Sequence, residues 1–287
     1  MRRHVFVFSC STGRAIQRNI SIGVNMNKKA QGDLYRNHVM QFLSVVGYAT
    51  TRQIAKDVWG RCDISTRKMA GRTLRWLQEH RFIVSKRDGQ GVNKVNNELL
   101  FALTAVGAEE TRRHGSPLVA DKVHGRDYLR HSHPHRTACN SVYVAWPTAM
   151  DIWSELQIRA GECPLNSFTY IVEGTHCTKI PDLIASTGDG CFEWIEVENS
   201  WRSDKDLSKV IDCMRAMFNG DRKIKCIHFV VTVAGARTIG ARLKKKLTHG
   251  PDSGWAPSIR ARDACIIANH IKVSVLVPET LALERIY

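Results

Sequence analysis

KIPDLIASTGDGCFEWIEVE, residues 179–198, decides the fold of the C-terminal half. Two apolar runs, KIPDLIAS and CFEWIEVE, flank the tight turn TGDG, which predicts two strands joined as a hairpin. Alternate residues of a strand share a face, so Glu196 and Glu198 point the same way, together with Phe192 and Trp194. The turn brings Asp182 on the first strand close to that pair, and Glu155 on a preceding strand, IWSELQI (152–158), is expected to join them. Carboxylates gathered at one sheet edge repel unless a cation neutralises them. Hard oxygen donors at this density suit Mg²⁺ or Mn²⁺, with Asp182, Glu196 and Glu155 as candidate ligands. Such an ion activates water and stabilises the charge that builds on a phosphodiester during cleavage. The bland reading makes Asp182 a turn residue and Glu196 and Glu198 the wet face of an edge strand.

Downstream, a helix is expected at about 204–218, a strand KCIHFVVTVA at 225–234, helices near 236–247 and 257–268, and a strand IKVSVLV at 271–277. Strands alternating with helices predict an α/β unit with a central mixed sheet. Upstream, RDYLRHSHPHRTACNSVYVAW (126–146) reads as one or two helices, started or broken near Pro134.

The N-terminal half has another texture. Helical spacing runs from Asp33 to Val46 and stops at Gly47; Thr50 and Thr51 cap a second helix, TRQIAKDVW; and Ser65 or Thr66 caps a third, STRKMAGRTLRWLQEH. FIVSKR, the turn DGQG and NNELLFAL form two strands around a glycine-rich loop, and LTAVGAEETRRHG is a closing helix. Helix, helix, helix, hairpin, helix is the order of a winged helix-turn-helix, assigned to residues 31–115. The third helix carries Arg67, Lys68, Arg72 and Arg75 while Met69, Leu74 and Leu77 face the core. In this geometry it lies in the major groove of double-stranded DNA, and Lys86, Arg87 and Lys94 on the wing reach the phosphates. Residues 1–30 are expected to be a disordered leader and 116–125 a linker, leaving 126–287 as the second domain.

Charge follows the same division. The chain of 287 residues has a formal net charge of +15, but residues 1–120 hold 20 Lys+Arg against 8 Asp+Glu, and residues 121–287 hold 22 against 19. One half is built to meet a polyanion and the other is nearly balanced. No apolar run reaches the roughly 18–20 residues that span a bilayer. The nine cysteines include no CxxC pair, so neither a zinc knuckle nor a disulfide framework is expected, and the reading is of a reduced, cytoplasmic protein.

Pro181-Asp182, a hairpin, then Glu196-x-Glu198 leading into an amphipathic helix resembles the restriction-endonuclease-like PD-(D/E)xK fold. With a winged helix upstream, the helix HRTACNSVYVAW, a W-x-E-L strand and Lys209 on the later helix, residues 33–230 resemble the replication-relaxation family, of which MobC-type plasmid mobilisation relaxases look like a branch. The resemblance implies an α+β two-domain protein that cuts or nicks plasmid DNA with Mg²⁺ or Mn²⁺, in mobilisation or replication initiation, with accessory mobilisation proteins as partners. Carried across, Asp182, Glu196 and Glu198 match the metal-binding carboxylates, Glu155 the upstream acid and Lys209 a lysine shifted onto the following helix. Most members carry lysine where Glu198 stands, which leaves the identity of the catalytic cation open between Lys209 and Lys205.

The competing class is a non-enzymatic plasmid replication or transcription regulator whose inactive nuclease-like domain serves dimerisation. The HSHPH run offers His131, His133 and His135 to a transition metal. A polar helix start, with His135 touching a DNA phosphate, is the reading taken. Water, Tyr128, Tyr143 and Tyr170 all remain as nucleophiles. Trp76, Trp146 and Trp153 are assigned to the core, and LKKKL (243–247) to a solvated helix end.

Overall fold

The computed structural model describes residues 27–87, 98–115, 125–130, 134–172, 174–200, 203–220, 223–232, 238–248 and 267–286. The leader to residue 26, the DGQG turn with Lys94, nearly all of the expected linker, His131, His133 and most of the helix expected at 257–268 lie outside them.

Helix α1 (Lys28–Val46) is capped by Asn27, whose side chain accepts from Ala30 N at 2.8 Å, and it ends at Gly47, where φ is +79°. Val39, Phe42, Leu43 and Val46 form its buried stripe, at the spacing that puts residues on one helical face. After β1 (Ala49–Thr50), α2 (Thr51–Trp59) opens with a capping box in which Thr50 and Gln53 satisfy each other's backbone amides. Helix α3 (Ile64–Glu79) is capped by Asp63 rather than Ser65 or Thr66: its carboxylate accepts from Thr66 N at 2.8 Å and from the Thr66 hydroxyl at 3.1 Å. Strands β2 (Ile83–Arg87) and β3 (Leu99–Leu103) pair antiparallel from Ile83↔Leu103 to Arg87↔Leu99, and β1 takes the other edge of β3. Helix α4 (Ala105–Arg113) closes the unit. The N-terminal part is thus helices with a small antiparallel sheet ordered β1-β3-β2.

Then follow α5 (Gly125–Arg130), α6 (Pro134–Ala145), β4 (Ile152–Trp153), α7 (Glu155–Arg159), β5 (Phe168–Val172), β6 (Thr175–Lys179), β7 (Leu183–Ser186), β8 (Phe192–Glu198), α8 (Asp204–Gly220), β9 (Ile224–Val231), α9 (Ile239–Thr248), β10 (Ile271–Val277) and β11 (Ala282–Arg285). A mixed six-stranded sheet runs β11-β10-β9-β8-β7-β4. The expected hairpin is β7–β8, in register Leu183↔Ile195. β9 and β10 continue the sheet in parallel with β8, and the connections carry α8 and α9, since parallel neighbours need a long crossover.

Two strand expectations are corrected. The strand at 152–158 ends at Trp153, because Ser154 and Gln157 form a capping box that starts α7, so Glu155 is the first residue of a helix. The run KIPDLIAS is divided. Lys179 ends β6 in a two-stranded ribbon with β5, and β7 starts at Leu183, beyond a proline that has no amide to give a ladder.

Each face of the large sheet has its own apolar layer. Leu183, Ala185, Ile195 and Val197 pack on Ala138, Cys139 and Val142 of α6, and this layer runs on without a break into Phe42, Leu43, Leu74 and Leu77 of the N-terminal helices. Ile184, Trp194 and Phe229 pack on Leu207, Val210, Ile211 and Met214 of α8. Polar ties bind the two parts: Gln53 Nε2 donates to Thr137 O and Ser141 Oγ, each at 2.8 Å, Asn140 Nδ2 to Tyr48 O at 2.7 Å, and Ser154 Oγ to Val45 O at 2.7 Å. No helix of the described residues is long and apolar enough to cross a membrane.

Candidate functional site

Two regions hold chemistry, a basic helix and an acidic sheet end. On α3, Thr66, Ala70, Leu74 and Leu77 turn inward, which leaves Arg67, Lys68, Arg72 and Arg75 exposed on the opposite face. None of the four is ion-paired with another described residue. Gly71 lies among them, and a methyl built there meets nothing within 4 Å. Lys86 and Arg87 are exposed on β2, and Lys86 Nζ also donates to Leu129 O of α5 at 3.1 Å. Trp76 is only half-buried: the Arg36 guanidinium lies 4.1 Å over its ring and His80 stacks on it at 3.7 Å. Trp146 and Trp153 are core residues as expected, and Met69 is half-buried.

The acidic region forms where β7 begins and β8 ends. All seven residues of β8 are buried, which rules out the wet-edge reading of Glu196 and Glu198. Asp182 precedes β7, one step beyond the Leu183↔Ile195 pair, and its Oδ2 accepts from Val197 N at 2.8 Å. Its Oδ1 meets His135 Nε2, in the first turn of α6, at 2.9 Å. Cys139 stands one turn further along α6. The ligand atoms of His135, Cys139 and Asp182 all lie within 4.8 Å of one another.

The other carboxylates are held by different partners. Glu196 accepts from Trp194 Nε1 at 2.6 Å through one oxygen and from Lys179 Nζ at 2.8 Å through the other. Glu155 is gripped by Arg159 Nε at 2.8 Å and by Arg136 Nε and Nη2 at 3.3 and 3.4 Å. Glu198 is buried beyond Glu196, and its backbone carbonyl accepts from Thr232 N at 3.0 Å. Lys209 is exposed on α8.

The electrostatics follow from these contacts. The hydrogen bond to Asp182 raises the His135 pKa above its ordinary value, against the effect of burial. Burial raises Glu196, and the nearby Asp182 charge adds to it, outweighing Lys179. Burial also works to raise Glu155, but Arg136 and Arg159 together hold it below the usual carboxylate range. The Cys139 thiol is pushed well above 9, first by burial and then by the charges of Asp182, Glu155 and Glu196.

No protein-family model, curated protein or solved structure matches this chain.

The structure therefore brings Asp182 and Glu196 to one sheet end, as the hairpin required, and sets Glu155 in a separate ion-pair cluster beside it. Sequence reasoning missed Lys179, Arg136 and Cys139. The first two arrive by tertiary pairing and carried no signal. The third did, because His135 and Cys139 are four residues apart and share a helical face. His135, expected on a DNA phosphate, is bonded to Asp182.

Proposed function

We propose that this chain is a DNA-binding endonuclease that docks on duplex DNA through α3 as a winged helix-turn-helix and acts on the phosphodiester backbone at the Asp182–Glu196 end of β8. The observation that carries it is the exposed face of Arg67, Lys68, Arg72 and Arg75 on the third helix before a β-hairpin, with Lys86 and Arg87 on the adjoining strand. Cations at this density meet phosphates, and Arg forks onto guanine edges in the major groove. The cutting half draws support from β7–β8–α8–β9: a hairpin bearing Asp182 and Glu196, then a helix and a parallel strand, in keeping with the restriction-endonuclease-like resemblance.

An all-oxygen Mg²⁺ or Mn²⁺ site of Asp182, Glu196 and Glu155 does not fit these side chains as they stand. Glu155 is neutralised by two guanidiniums, and both oxygens of Glu196 already accept hydrogen bonds. What the residues themselves offer is a His135–Asp182 dyad that can hold a proton near the reacting phosphate, while Lys179 and Arg136 are already paired with Glu196 and Glu155. A role in plasmid mobilisation or replication, with accessory mobilisation proteins, is what the family resemblance adds.

A second reading, a regulator with an inactive nuclease-like unit, is favoured by one observation: Asp182, Glu196 and Glu155 each have a cationic or histidine partner within the chain. The deciding experiment is a plasmid-nicking assay with divalent ions, run beside a gel shift on the same preparations. Relaxation lost in Asp182→Ala and Glu196→Ala, with binding kept, supports the endonuclease. Binding without relaxation on a plasmid carrying the native origin turns the choice to the regulator.

A further inference from the structure

We infer that His135, Cys139 and Asp182 form a binding site for a borderline transition-metal ion, Zn²⁺ in the first instance, in place of an all-oxygen magnesium site. The inference shares His135 and Asp182 with the endonuclease reading and rests on it only for the site's use.

Three independent features support the assignment. The first is the donor set. An imidazole nitrogen, a thiol sulfur and a carboxylate oxygen are borderline and soft donors that Mg²⁺ passes over and Zn²⁺ selects. The second is placement. His135 and Cys139 are a helical turn apart on one face of α6, fixed against the sheet by the apolar layer below, and Asp182 comes to them from the mouth of β7. All three ligand atoms lie within 4.8 Å of one another. Tetrahedral zinc, with bonds of about 2.0–2.3 Å, holds its ligand atoms roughly 3.3–3.6 Å apart, so side-chain adjustments of about an ångström complete the site.

The third feature is access. Cys139 is 1% exposed and forms the floor, while the His135 and Asp182 side chains above it are 33% and 20% exposed, which gives an ion a way in. Asp182 Oδ2 remains tied to Val197 N, a backbone bond that orients the carboxylate from behind. On binding, the ion displaces the proton held between His135 Nε2 and Asp182 and takes Cys139 as thiolate, and both displaced protons pass to solvent. Three protein ligands leave the fourth position open, the pattern of catalytic rather than structural zinc.

The test uses the full chain, stripped with a chelator and titrated with Zn²⁺ and separately with Co²⁺. One Zn²⁺ per chain is expected, and Co²⁺ gives a near-ultraviolet thiolate-to-metal charge-transfer band that Cys139→Ser abolishes and Cys177→Ser leaves in place. Should Cys139→Ser fail to fold, His135→Gln, in the partly exposed first turn, decides. Losing even a partner that only orients a ligand costs about 10–100-fold in affinity, so losing this ligand must weaken Zn²⁺ at least about 100-fold. Co²⁺ bound without a thiolate band, or Zn²⁺ affinity unmoved by His135→Gln, overturns the assignment and leaves the endonuclease reading untouched. Zn²⁺ bound as assigned with no nicking leaves the site standing and removes the endonuclease reading.

Discussion

Replacing Glu193 with glutamine tests whether charge buried in the large sheet holds it together. Glu193 on β8 is 6% exposed. Its carboxylate meets His228 Nδ1 of β9 at 3.3 Å and Lys272 Nζ of β10, and His228 Nε2 meets Ser274 Oγ at 2.8 Å. Burial works to raise this carboxyl, yet His228 and Lys272 outweigh it and hold the pKa at about 2, against an ordinary value of 4.5. At about 1.36 kcal/mol per pH unit, the difference contributes about 3 kcal/mol. Because the folded-state pKa is depressed, that stability is fully present above the unfolded value of 4.5 and is lost as pH falls towards 2. Glutamine keeps the shape and removes the charge, so at pH 7 melting should drop by roughly 6–10 °C for a chain of this size. Thermal melts of both proteins from pH 7 down to pH 3 read the gap, which narrows once the pH passes below 4.5. Equal melting temperatures at pH 7, or a gap that persists unchanged into acid, would refute the reasoning.

A methyl on Gly107 would stand 2.0 Å from the Phe82 carbonyl oxygen, a backbone atom that cannot swing aside. Gly107→Ala should therefore cost about 3 kcal/mol, seen as a lower urea midpoint. Gly71→Ala meets nothing within 4 Å and should stabilise α3 by about 1 kcal/mol, yet lower DNA affinity if the methyl stands on the face proposed to meet the groove. Melting and gel-shift titrations on one preparation check both signs together. Gln53→Ala removes half of a capping box and the bonds to Thr137 and Ser141 across the seam, and should cost about 2 kcal/mol; an unmoved denaturant midpoint counts against that seam.

Much of the fold was legible because its signals are local. The second helix starts where Thr50 caps it and spans TRQIAKDVW as expected, and the alternation of β8 assigned its two faces correctly. Asp63 displaced Ser65 as a cap because its carboxylate can accept from both the Thr66 amide and the Thr66 hydroxyl. Glu155 was misplaced because the apolar spacing of IWSELQI hid a serine–glutamine capping box, whose residues were in plain sight. The β5–β6 ribbon was not foreseen, since its alternation is weak and Ile171 on it is exposed. At the site, the hairpin foretold that Asp182 and Glu196 converge. The partners that meet them, Lys179 and His135, come from β6 and α6, and no spacing in the sequence encodes that pairing. Lys209, by contrast, flanks the stripe of Leu207, Val210 and Ile211, and its exposure follows from that position.

The most direct measurement is the salt dependence of duplex-DNA binding by the wild type and by a variant with Arg67, Lys68, Arg72 and Arg75 all replaced by alanine. These side chains are exposed, so the variant keeps its fold, which circular dichroism verifies. Docking through α3 predicts a loss of affinity of about 100-fold or more, and a salt slope shallower by about one for each phosphate contact removed. A variant that binds duplex DNA as tightly as the wild type, with the same slope, would contradict α3 as the docking element.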